Sequence, residues 1–236
     1  MNTDIYILSL TAASIGFIHT LIGPDHYLPF IMMAKAGKWS KNKTIWVTIL
    51  CGIGHVLSSV VLGVIGIAAG IALDKLELIE GTRGEIAGWA LISFGFLYMI
   101  WGIKKAYNNK PHSHIHVSDK GTYSTHHHEH HGEHVHVHKE EKKSLTPWIL
   151  FVVFILGPCE PLIPLLMFPA AQHSVIGLTT VTAVFGIVTI STMVSIVAVS
   201  MWGLNLMPMG KLERYSHALA GFAIFASGLA INLLGL

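Results

Sequence analysis

Charge is scarce in this chain. Of its 236 residues only 12% are Asp, Glu, Lys or Arg and 52% are hydrophobic, whereas a soluble domain carries about 25% charged residues. The net charge of +2 gives no reason to expect nucleic acid as a partner. Cysteine is almost missing: Cys51 and Cys159 both fall inside apolar stretches, which excludes the disulfide framework that staples small secreted domains. No glycine-rich loop ending in Gly-Lys-Ser or Gly-Lys-Thr occurs, so nucleotide hydrolysis is not expected to drive the protein. A basic segment is also missing ahead of the first apolar run, which Gly23-Pro24-Asp25-His26 interrupts. That run is therefore expected to be retained structure and not a cleaved leader.

What is present is apolar sequence in long blocks. About 20 apolar residues in a helix span the roughly 30 Å of bilayer hydrocarbon, and six stretches qualify: 5–34, 45–73, 86–103, 147–171, 175–203 and 217–235. The expected fold is an all-α membrane protein. Its parts are a first three-helix unit (1–103), a polar linker taken as disordered (104–146) and a second three-helix unit (147–236). Lysine and arginine concentrate in cytoplasmic loops. Lys35, Lys38, Lys41 and Lys43 follow the first stretch, the linker is lysine-rich, and Lys211 and Arg214 follow the fifth. The expected location is the plasma (inner) membrane, with the linker in the cytoplasm and both termini outside.

The two units repeat one another. Gly23-Pro24-Asp25-His26-Tyr27-Leu28 returns 134 residues later as Gly157-Pro158-Cys159-Glu160-Pro161-Leu162. The same offset aligns Gly52 with Gly186 and His55 with Thr189, and an offset one shorter aligns Gly88, Gly95 and Gly102 with Gly221, Gly228 and Gly235. Because each unit has three helices, the second is expected to cross the membrane in the opposite sense. Proline removes a backbone donor and clashes with the preceding turn, so helices 1 and 4 are expected to be broken. In many secondary transporters such breaks meet near the midplane, where they form the substrate site.

Ionisable groups inside a bilayer are expensive and mark functional sites. Here they are His19, Asp25 and His26 at the first break, His55 on the second helix, and Cys159 and Glu160 at the second break. Imidazole with carboxylate suits nickel, cobalt, zinc or iron, and a thiolate tilts the set toward softer ions. Simpler roles also fit: His26 and Glu160 as caps of broken helix ends, His55 as a partner of a nearby hydroxyl, Cys159 as a small buried hydrophobe. The linker holds eleven of the sixteen histidines: His112, His114, His116, His126, His127, His128, His130, His131, His134, His136 and His138. Such a composition binds metal weakly and at several points.

On these residues the chain resembles the nickel/cobalt transporters of the NicO and UreH type, within the LysE-like superfamily of six-helix transporters. The resemblance rests on the six-helix plan, the early His and Asp-His motif, the histidine-rich linker and the Gly-Pro-Cys segment. The family motif places four residues between His and Asp-His, where His19 and Asp25 are separated by five. The resemblance implies that His19, Asp25 and His26 select a metal, and that the protein transports a divalent transition-metal ion by alternating access. Nickel and cobalt stand foremost, with zinc, iron and manganese open. The ion is expected as substrate, without an organic cofactor and without enzymatic activity. The other expected partners are the lipid bilayer, a second copy of the chain and a cytosolic metal-delivery protein. Two alternatives stay open: export of sulfite or an organic anion, and a non-transporting accessory that hands metal to an enzyme such as urease. The superfamily also includes thiol-disulfide electron carriers with a cysteine at each break, but Asp25 stands where the first of those cysteines would be, so a two-cysteine relay is not expected.

Overall fold

The computed structural model describes residues 3–108, 112–117, 123–128, 146–159, 161–171, 174–206 and 210–234. The described residues are overwhelmingly helical. The helices are α1 (Thr3–Ile22), α2 (Leu28–Ala36), α3 (Lys41–Ala68), α4 (Leu73–Asn108), α5 (Thr146–Leu156), α6 (Leu162–Ala171), α7 (Val175–Leu206) and α8 (Ser216–Leu234), with 3-10 turns at Pro24–His26 and Gly210–Tyr215. Five of them, α1, α3, α4, α7 and α8, are long and apolar enough to cross a membrane. Trp46, Leu97, Ile187 and Val199 point outward from them, as suits side chains solvated by lipid. The chain is an integral membrane protein.

The sequence predicts six spans, and the difference lies at 147–171. There the Gly-Pro segment divides the apolar run into α5, of 11 residues, and α6, of 10, each too short to cross alone. A second difference is the start of α4. Asp74, Glu77, Glu80 and Arg83, expected in a loop, are all helical. Glu80 and Arg83 lie one turn apart and form an ion pair, so their charges satisfy one another inside the bundle.

Local signals set the helix ends. The Ser40 hydroxyl accepts from the Lys43 N–H at 3.2 Å, a cap worth about 1 kcal/mol. Helix α3 closes with Gly70 at φ 66°, where Ile71 N–H donates to the Gly66 carbonyl at 2.9 Å and Gly70 N–H to that of Ile67 at 3.0 Å. Helix α2 ends by the same motif with Lys38 in the left-handed position, at φ 49°.

Helices α4 and α8 pack backbone to backbone. A methyl group placed on Gly95 would lie 2.9 Å from the Gly221 carbonyl oxygen, and one on Gly221 would lie 2.8 Å from that of Gly95. Gly228 approaches the Gly88 carbonyl in the same way. Small residues permit such close crossings where no hydrophobic force drives helices together.

The basic segments gather at one end of the bundle. Lys38 after α2 pairs with Glu213 at 3.3 Å, Arg214 donates to the Ala106 carbonyl at the end of α4 at 2.6 Å, and Lys105 donates to His217 at 3.0 Å. Beyond α4, in the linker expected to be disordered, strands β1 (His112–Val117) and β2 (Tyr123–His128) pair antiparallel. Their register sets His112 opposite His128 and His114 opposite His126. These two strands are the departure from an all-α fold. His130, His131, His134, His136 and His138 lie outside the described residues, as does Glu160.

Two apolar clusters fill the bundle. One, toward the basic end, joins Phe30 and Met33 of α2 to Leu150 and Phe154 of α5, Met193 of α7 and Ile224 of α8. The other joins Ala12 of α1 to Cys159, Leu162 and Leu166 near α6, and to Val181 and Phe185 of α7. His55, between Cys51 of the first cluster and Val56 of the second, stands at their boundary.

Candidate functional site

The break at Gly23 brings distant residues together. Gly23 N–H still donates to the His19 carbonyl at 3.0 Å, but Pro24 has no N–H to continue the ladder, and His26 N–H turns back to the Gly23 carbonyl at 3.2 Å. In an unbroken helix His19 and His26 would sit two turns apart, about 10.5 Å along the axis. The 3-10 turn removes that separation, and their ring centroids are 4.8 Å apart. His55 arrives from the middle of α3, its ring 5.1 Å from that of His26. One ligating nitrogen from each of the three rings lies within 4.8 Å of the others.

Hydrogen bonds fix how two of these rings present themselves. His26 Nδ1 lies 3.2 Å from the Gly23 carbonyl oxygen and 3.1 Å from Asp25 Oδ1. A carbonyl and a carboxylate only accept, so Nδ1 carries the proton and Nε2 keeps its lone pair. His55 Nδ1 likewise donates to the Phe154 carbonyl at 3.3 Å. The Nε2 atoms of His19, His26 and His55 are buried and without a hydrogen-bond partner. Both His26 and His55 are almost wholly buried, with 2% and 3% exposure. A buried polar nitrogen lacking a partner loses about 1–3 kcal/mol, and a metal ion held between the three rings could supply the missing partner. Binding one ion about 2.1 Å from each nitrogen would draw the three rings closer together.

Asp25 takes a different part from the one foreseen. Its carboxylate holds His26 from behind, at Nδ1, and stays outside the converging nitrogens. A carboxylate so placed orients an imidazole and raises its basicity, as it does behind histidines that ligate metals. Cys159 is buried in the second apolar cluster and is not among the converging ligands. Glu160 lies outside the described residues.

Reading the charges as loop residues hides a second polar group, at the second break. Glu80 is fully buried and accepts from Ser59 Oγ at 3.2 Å and from the Cys159 N–H at 3.3 Å. Arg83 pairs with Glu80 and donates to Ser58 Oγ at 2.8 Å, to the Ile155 carbonyl at 2.8 Å and to that of Gly157 at 3.4 Å. With His55 on Phe154, these bonds satisfy the carbonyls that α5 leaves open where Pro158 and Pro161 prevent its continuation. The signal in the sequence was the opposite-charge pair at i,i+3 beside an apolar run.

A cavity of about 780 Å³ opens in front of the triad. Its wall includes His19, His26 and His55 with Asp25, and, along α4, Glu77 and Glu85. No disulfide joins Cys51 to Cys159, and the two pack in different apolar clusters.

No curated protein and no solved structure matches the chain. The resemblance to nickel/cobalt transporters is not upheld: the family that matches is a different one, and the reading of the chain as a transporter of divalent metal ions falls with it. That resemblance drew on the six-helix plan, the early His and Asp-His motif, the histidine-rich linker and the Gly-Pro-Cys segment. The family match extends from α2 into α8. It begins after His19, Asp25 and His26. Residues 28–230 match the cytochrome C biogenesis protein transmembrane region, and the chain belongs to that family.

Proposed function

We propose that this chain is a membrane protein of the cytochrome c biogenesis type that keeps one transition-metal ion bound within the membrane, on His19, His26 and His55. Two observations carry the reading together: one ligating nitrogen from each of the three rings lies within 4.8 Å of the others, and the Nε2 atoms of all three rings are buried without a partner. Imidazole is the commonest metal ligand, and an all-nitrogen set suits zinc, copper, iron or nickel. Asp25 and the Phe154 carbonyl hold His26 and His55 in the ligating tautomer. The cavity volume also raises haem as an occupant. Its two propionates would face Asp25, Glu77 and Glu85, so the charge of the wall favours a bare cation. A relay between two thiols draws no support from Cys51 and Cys159, which lie in separate clusters.

In this reading α5 and α6 together make a sixth crossing, and the two halves form an inverted repeat. Two features support that architecture. The pair Gly88–Gly228 becomes the pair Gly221–Gly95 when each residue is replaced by its counterpart in the other half, and both pairs are in contact. The contact of α1 with α7 has its counterpart in that of α5 with α3. The basic end faces the cytoplasm of a plasma membrane, with the linker histidines on that side holding further ions weakly.

The test is cobalt(II) binding to the purified full chain. Cobalt held by three imidazoles in a closed site absorbs strongly in the visible range, whereas hydrated cobalt on exposed histidines absorbs weakly. One strongly absorbing ion per chain, lost in His26→Ala and in His55→Ala, is the expected result. An unchanged spectrum in both variants would remove the triad as a metal centre.

A further inference from the structure

We infer that metal ions reach the histidine triad from the end of the bundle where α4 begins, through the acid-lined cavity, with Glu77 and Glu85 drawing them in. This rests on the metal-centre reading and adds the route and its residues. The cavity has the triad with Asp25 on one wall and the first half of α4 on another. Glu77, Gly81, Glu85 and Gly88 follow one another at spacings of four, four and three, which places them along one stripe of the helix. Glu77 and Glu85 are exposed. Nothing lies within 4 Å of a methyl group built on Gly81, so the passage is open between them.

The other direction is closed. Between the triad and the basic end stands the first apolar cluster, with Phe30, Met33 and Leu150 fully buried. The Phe30 ring packs against that of Phe154, with centroids 4.7 Å apart and planes inclined at 51°. A hydrated dication meets packed aromatic rings on that side and carboxylates on this one. The acids alone would mark nothing, but they lead to His26 and His55, whose buried Nε2 atoms face the same space without a partner.

The experiment follows the rate at which the strong cobalt(II) absorption appears on mixing the full chain with cobalt in a stopped-flow instrument. Glu77→Gln combined with Glu85→Gln should slow loading about tenfold at low ionic strength, the lower end of electrostatic steering effects. The rate should converge on that of the natural protein in high salt, where exposed charges are screened. A structural defect would not vanish with salt. Independently, Gly81→Cys labelled with a bulky maleimide should load at least about tenfold more slowly than the same variant before labelling. Unaltered rates in both variants would overturn the route while leaving the metal centre standing. If the natural protein itself shows no triad-dependent absorption, it is the metal centre that falls, and the route with it.

Discussion

Replacing Asp25 with asparagine separates two ways in which it can serve the triad. The amide keeps an acceptor near His26 Nδ1, and the Gly23 carbonyl at 3.2 Å holds the tautomer in any case, so the ring stays in place and only the charge is removed. With the ion on the far nitrogen of the ring, the carboxylate sits about 7 Å from it, where a dication and a unit negative charge attract by about 5 kcal/mol at an effective dielectric of 20. Asp25 is 24% exposed, and water screening reduces the figure toward about 1.4–2.7 kcal/mol. That range equals the loss of about 10–100-fold in affinity typical of a removed second partner. Competition titration of cobalt(II) against a chelator of known affinity, on Asp25→Asn and the natural protein in one detergent, measures it. Affinity equal to that of the natural protein would show that the carboxylate does not act on the ion. A loss as complete as that of His26→Ala would show that Asp25 ligates the metal directly. Either result refutes the role derived from the 3.1 Å contact at Nδ1.

Three further outcomes are expected. Gly81→Ala and Gly95→Ala share the helix-propensity gain of about 1 kcal/mol, but the first meets open space and the second the backbone of α8. Thermal unfolding followed by circular dichroism should show the first neutral or stabilised and the second destabilised by about 1–3 kcal/mol; equal behaviour would contradict the crossing of α4 and α8. Arg83→Leu leaves the fully buried Glu80 carboxylate without its cation and should cost about 3–5 kcal/mol, read as a lowered Tm, with natural stability arguing against the ion pair. Lys38→Gly should raise stability by about 1 kcal/mol, because the left-handed position strains any residue with a Cβ. The exposed pair with Glu213 that it forfeits is worth less than that, so a lowered Tm would contradict the balance.

The sequence by itself determined the parts of this protein whose causes are local. Apolar blocks with few charges require a membrane solvent, Gly-Pro breaks a helix at 23–24 and again at 157–158, and three histidines inside apolar sequence mark a candidate site, because ionisable groups are costly away from water. Short-range rules do not say where a break sends the chain. Folding is what carries His26 onto His19 through the turn at Pro24–His26, delivers His55 of α3 to the same point, and sets Asp25 at His26 Nδ1, outside the converging nitrogens. The buried pair of Glu80 and Arg83 was hidden for the same reason. Charges near a helix end look like a loop until the carbonyls of a broken helix 72 residues away in sequence are seen to need a donor. Family membership was misjudged because the resemblance rested on a helix count and a few short motifs, whereas the family match runs over most of the chain. Periodicity and composition act over one or two turns; the site depends on contacts between segments that only folding makes neighbours.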